Sequence, residues 1–137
     1  MSTLQVGTIK SASSAAPVFQ NSSGVEQGEL VKQRANYDGY NNTIRSSFGI
    51  SSVTDEGTGR YRFNFSTAYP NTNYSWTGGI STAGTNRTNA RVIGQYNSSQ
   101  SISDGLLTAS SCEVVCTLTG SGSSKADADH FHFWCIG

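Results

Sequence analysis

Residues 60–65 read Arg-Tyr-Arg-Phe-Asn-Phe, a strict alternation of polar and aromatic side chains. Successive side chains of a β-strand point to opposite faces, so this period places Tyr61, Phe63 and Phe65 on one face and Arg60, Arg62 and Asn64 on the other. A helix would scatter the three rings around its surface. The segment is therefore a half-buried strand, and the rest of the chain must supply a second apolar layer to cover it. Just before it, Asp55-Glu56-Gly57-Thr58-Gly59 reads as a hairpin turn whose glycines can adopt positive φ.

Further strands are expected at short spacing on both sides. Residues 30–37 form a candidate strand closed by the Asp38-Gly39 turn. Ile44, Ser46, Phe48 and Ile50 are expected to share one face of the next. Residues 74–82 and 90–96 are expected to pair with each other, as are residues 113–119 and 130–136. No run has convincing helical periodicity. The 13% share of charged residues, about half the usual fraction, leaves the polar surface to Ser, Thr, Asn and Gly, which favour turns and strands. The expected fold is all-β: an antiparallel β-sandwich of about 6–8 strands.

The first residues differ in character. Leu4, Val6 and Thr8 suggest one short strand, followed by the small-residue run Ser11-Ala12-Ser13-Ser14-Ala15-Ala16. So little apolar surface cannot offset the entropy of ordering. Residues 1–28 are therefore expected to be an extended N-terminal arm for docking or strand exchange, and residues 29–137 the β-sandwich domain. A formal net charge of zero argues against nucleic-acid binding, which needs excess cations. No stretch approaches the ~20 apolar residues of a membrane-spanning helix, and the N-terminus lacks the basic start and apolar core of a secretory signal. Synthesis in a cytoplasm is the expectation.

Residues 31–74 carry a longer pattern. In order it comprises Tyr37-Asp38-Gly39, then Ile44-Arg45-Ser46-Ser47-Phe48-Gly49-Ile50-Ser51-Ser52-Val53-Thr54-Asp55-Glu56-Gly57-Thr58-Gly59, then Tyr61-Arg62-Phe63-Asn64-Phe65, then Tyr69-Pro70-Asn71-Thr72-Asn73-Tyr74. This pattern resembles a domain of tail-fibre-like structural proteins of marine and cyanobacterial phages. The opening Met1-Ser2-Thr3-Leu4-Gln5-Val6-Gly7-Thr8-Ile9 looks like the start of such proteins. Gly49 stands where the family usually has Asn. The resemblance implies a non-enzymatic virion protein, made in the host cytoplasm and located on the tail or capsid surface. It also implies a homotrimer that joins other virion proteins, here through the arm, and reaches host surface glycan. Capsid decoration and a glycan-binding receptor module are the alternatives.

No catalytic residues and no cofactor are expected. No serine lies in a Gly-x-Ser-x-Gly elbow. Asp127, Asp129 and His130 occur together in what reads as a solvated loop. His130 and His132 fall on one strand face, about 7 Å apart along the strand, a weak metal-binding candidate that gains interest if copies surround an axis. Cys112, Cys116 and Cys135 do not match a zinc pattern. If residues 112–119 paired with 129–136, Cys112 would fall near Cys135, leaving a disulfide open, though free buried thiols fit a reducing cytoplasm better. Tyr40, Tyr69, Trp76 and Arg87 are the receptor or interface candidates, since aromatic faces beside Asn and Ser can stack on sugars or on proteins.

Overall fold

The computed structural model describes Thr8 and residues 19–28, 31–81, 91–95, 107–118 and 125–137. Two compact units emerge, Met1–Leu30 and Val31–Gly137. In the first, β1 (Phe19–Gln20) pairs antiparallel with β2 (Glu26–Gly28). The Asn21 side chain closes this hairpin by accepting from the Ser23 and Val25 amides, both at 3.0 Å. The expected strand around Leu4 and Val6 lies outside the described residues.

The second unit is all-β and consists of two antiparallel sheets that pack together. Its strands are β3 (Gln33–Asp38), β4 (Thr43–Phe48), β5 (Ile50–Asp55), β6 (Arg60–Phe65), β7 (Ser75–Ser81), β8 (Arg91–Gln95), β9 (Leu107–Thr108), β10 (Ser111–Leu118) and β11 (His130–Ile136). The four-stranded sheet runs β4-β3-β11-β7. The five-stranded sheet runs β5-β6-β10-β8, with β9 also on β10.

The core is an aromatic layer between the sheets. Tyr61, Phe63 and Phe65 of β6 all point inward, as the alternation requires. Phe131 and Phe133 of β11 meet them from the other sheet, and Phe63 stacks on Phe133 with centroids 4.4 Å apart. Tyr37 lies edge-on to Tyr61 and Phe63. Cys112, Val114 and Cys116 of β10 and Cys135 of β11 fill the remaining space.

Two expected pairings and one expected strand face are corrected. β7 and β8 do not pair with each other. β7 hydrogen-bonds to β11 in one sheet and β8 to β10 in the other. Likewise β10 and β11 lie in different sheets, so Cys112 and Cys135 are not cross-strand neighbours, and all three cysteines are free and buried. Ile44, Ser46, Phe48 and Ile50 do not share a face. β4 inserts an extra residue, Arg45, between the pairs Tyr37↔Ile44 and Asn36↔Ser46. This bulge turns Ile44 toward the core but leaves Ser46 and Phe48 exposed.

The chain then leaves one sheet for the other at Gly49. Its φ is +68°, and a Cβ there would stand 2.2 Å from the Lys32 carbonyl oxygen. Only glycine fits that corner. A second close approach joins the sheets at the Asp38 end. The Gly39 amide donates to the Ala128 carbonyl at 2.9 Å, and a Cβ at Gly39 would sit 2.2 Å from the Tyr61 hydroxyl oxygen. That hydroxyl donates to Asp127 Oδ1 at 2.8 Å, which also accepts the Gly59 amide at 2.7 Å.

Candidate interaction face

The two sheets present unlike outer faces. On the five-stranded sheet, β6 and β10 set Arg60, Arg62, Asn64 and Glu113 outward. Arg60 Nη2 donates to Glu113 Oε1 at 2.7 Å and Arg62 Nη2 to Oε2 at 2.9 Å, while Arg62 Nη1 pairs with Glu56 at 2.9 Å. Asn64 Nδ2 donates to Ser52 and Thr54, both at 3.0 Å. These side chains pair with one another across the strands.

The four-stranded sheet is different. Inward-facing Ala35, Tyr37, Phe131 and Phe133 force Arg34 and Asn36 of β3, and His130, His132 and Trp134 of β11, to the other side. Registry aligns them in rows across the strands. One row runs Phe48, Arg34, Trp134, Thr77; the next runs Ser46, Asn36, His132, Gly79. Phe48 is 59% and Trp134 42% exposed. Arg34 Nη1 donates to Ser46 Oγ at 3.1 Å. Along β11 the His130, His132 and Trp134 rings are nearly parallel, with centroids 6.2 and 6.3 Å apart.

The bulged Arg45 closes one end of this face. Its guanidinium reaches over β3 to the Asp38 carboxylate and on to the Asp129 carbonyl, and lies 2.6 Å from His130 Nδ1. Asp38 also accepts from the Asn41 side chain at 2.9 Å and from the Tyr40 and Asn41 amides, both at 3.1 Å. The Asn41 side-chain bond leads in holding the Asp38 carboxyl below its usual range, against the opposing effect of desolvation.

The sequence-derived candidates fall in different places. Tyr40 is exposed in the turn after β3. Tyr69 is buried, stacked on Tyr74 at 4.6 Å with its hydroxyl bonded to Gln33, so its ring offers no free face. Trp76 faces inward on β7 and stacks on Phe133 at 6.2 Å. Both, expected to offer a surface for contacts, instead pack on the core, Tyr69 from the loop between β6 and β7 and Trp76 from β7: with few aliphatic side chains, the core draws in aromatics beyond those of β6 and β11. Arg87 lies outside the described residues. His130 and His132 do share a face, but Arg45 occupies the Nδ1 side of His130. Among the described residues no group of three or more His, Cys, Asp or Glu is placed to hold a metal.

Phe48, Arg34 and Trp134 escaped the sequence reading. Trp134 follows from the period of two that paired His130 with His132. Phe48 does not, because the bulge at Arg45 inverts its side. The groups on this face recognise by ring contact, hydroxyls, an amide and a guanidinium. No family model, curated protein or solved structure matches the chain.

Proposed function

We propose that the chain is a non-enzymatic structural protein of a phage virion, a tail-fibre-like module whose β-sandwich domain works as a homotrimer. Residues 1–28 are the arm that docks it onto other virion proteins. The virion assignment rests on the resemblance carried by residues 31–74 and on a charge-poor composition. The observation that carries the assembly is the contrast between the two outer sheet faces. One is sealed by the Arg60–Glu113–Arg62 ion pairs, and the other sets the aromatic rings of Phe48 and Trp134 toward solvent in one row. Aromatic residues are enriched in contact surfaces relative to the rest of a protein's exterior.

Light scattering on the purified full chain tests the assembly. Three times the chain mass is the expected result, and a stable monomer at ~10 times working concentration refutes the trimer by mass action. Deleting residues 1–28 tests the docking. The truncated protein is expected to keep its far-ultraviolet β signature and lose incorporation into particles, whereas normal incorporation rejects the arm's role.

A further inference from the structure

Gln33 is the first residue of β3, and its side chain turns into the core with Ala35 and Tyr37. Only 4% of it is exposed. A carboxamide held away from water costs free energy unless it is hydrogen-bonded. Its cross-strand partner on β11 is Cys135, which is fully buried. The Tyr69 hydroxyl joins the two, donating to Gln33 Oε1 and hydrogen-bonding the Cys135 thiol. A nucleophile, an acyl carbon and a group able to pass a proton between them thus meet in a place that excludes water.

Residues directly opposite on antiparallel strands have Cβ atoms about 4.5–5.5 Å apart. The links Cβ–Sγ–Cδ–Cγ–Cβ of an S-acyl bond between two such residues span up to about 5 Å. The register therefore suits that bond without moving either strand.

We propose that Cys135 and Gln33 condense within one copy to an internal thioester, releasing ammonia. Sγ attacks Gln33 Cδ. The Tyr69 oxygen takes the thiol proton while its own proton passes to Oε1. The tetrahedral adduct collapses as that proton moves on to Nε2. The Cδ–O double bond re-forms, the Cδ–Nε2 bond breaks, and ammonia departs with one proton more than the amide nitrogen carried, the equivalent of the thiol's. Nothing is oxidised or reduced, and no co-reactant is needed.

Burial pushes the Cys135 thiol to about 11, so thiolate is scarce and the relay through Tyr69 supplies what acidity does not. Fixed opposition offsets the low reactivity of an amide, since well-oriented neighbours react as if at ~10⁵–10⁸ M. Dilution of the ammonia draws the condensation forward, and the same burial keeps water from the acyl carbon afterwards. The bond ties β3, the first strand of the second unit, to β11, its last, and closes that unit into a covalent loop.

Intact mass of the purified full chain, denatured and treated at once with N-ethylmaleimide, tests this. The parent is expected about 17 Da, one ammonia, below the mass its sequence encodes, with two cysteines alkylated. Hydroxylamine, which cleaves thioesters, should raise the count to all three. Cys135→Ala and Gln33→Met should each be found at their encoded mass. Tyr69→Phe, which keeps the ring, should acquire the bond at least about tenfold more slowly. A parent at its encoded mass with all cysteines alkylated overturns the proposal, as does a loss of ammonia that persists in Cys135→Ala. A parent lighter by about 2 Da with one alkylated cysteine is a Cys112–Cys135 disulfide and overturns it too. Should the variants fail to fold, the parent's mass and its response to hydroxylamine decide alone.

Discussion

Glu113 is the polar residue whose removal should cost the fold most. It lies on the outer side of β10, directly across from Arg62, yet only 1% of its side chain is exposed. Arg60 and Arg62 cover it, each donating to one carboxylate oxygen. Glu113→Gln keeps the shape and removes the charge. The amide can accept one of the two guanidinium bonds, but its NH₂ then faces the other guanidinium. Hydrogen bonds to charged groups contribute ~1.5–3 kcal/mol each. Removing one partner of a buried pair costs ~3–5 kcal/mol. Arg62 is 41% and Arg60 25% exposed, so water screens part of the loss. The expected destabilisation is about 2 kcal/mol, or a Tm lower by roughly 9 °C for a domain of this size.

Urea denaturation at two ionic strengths reads it. Because the carboxylate is shielded, most of the loss should persist at about 0.5 M salt, where exposed pairs are screened. A change below ~0.5 kcal/mol, or one erased by salt, would refute the idea that this cluster holds the sheet.

Two other outcomes follow from burial. The native protein should not react with a thiol reagent near pH 8, since burial pushes the Cys112 thiol up and that of Cys135 to about 11, whereas denaturant with hydroxylamine should release all three thiols; a denatured count of one would mean a Cys112–Cys135 bridge instead. Desolvation, then Asp55, Asp127 and Asp38, raises Tyr37 to about 12, and desolvation foremost lifts Tyr61 and Tyr74 further. The folded state thus favours the protonated phenols. Their stabilising contribution is whole below the unfolded value of ~10 and is lost as pH climbs through the folded values. Absorbance at 295 nm should then rise for these rings in one step with loss of the β spectrum, and ionisation of all tyrosines with the spectrum intact would contradict the burial.

Much of the local structure was legible. Alternation at Arg60–Phe65 and the glycine-flanked turn before it were enough to place β6 and that turn, while the strand read through Ile44 and Ile50 is in fact two, β4 and β5, broken at Gly49. Pairing was not legible, because proximity in sequence favours hairpins while the core needs strands in both layers. β7 and β8 read as neighbours, but Trp76 and Ile80 must cover Phe133 and Phe131 in one sheet while Ile93 lies opposite Cys116 in the other. Single-residue devices were equally silent. The Arg45 bulge follows from a long-range bridge to Asp38 and Asp129, not from any local preference, and it alone decides that Phe48 faces out. Half of the candidate face was therefore readable, through β11, and the β4 half was not.

The low charge content acquires a physical meaning once each charge is located. Asp38 binds Arg45 and the turn amides, Asp55 binds Asn42 and Gly57, Asp127 binds Tyr61 and Gly59, and Glu56 and Glu113 bind Arg62 and Arg60. Each of these carboxylates fastens one strand or turn to another. Among the described residues, few charges are therefore left to repel a second copy, and the chain's net charge is zero. Proteins near neutrality lack the self-repulsion that keeps others monomeric. A chain that uses its carboxylates inside the fold and sets the rings of Phe48 and Trp134 toward solvent on the opposite wall combines weak repulsion with exposed aromatic surface to bury.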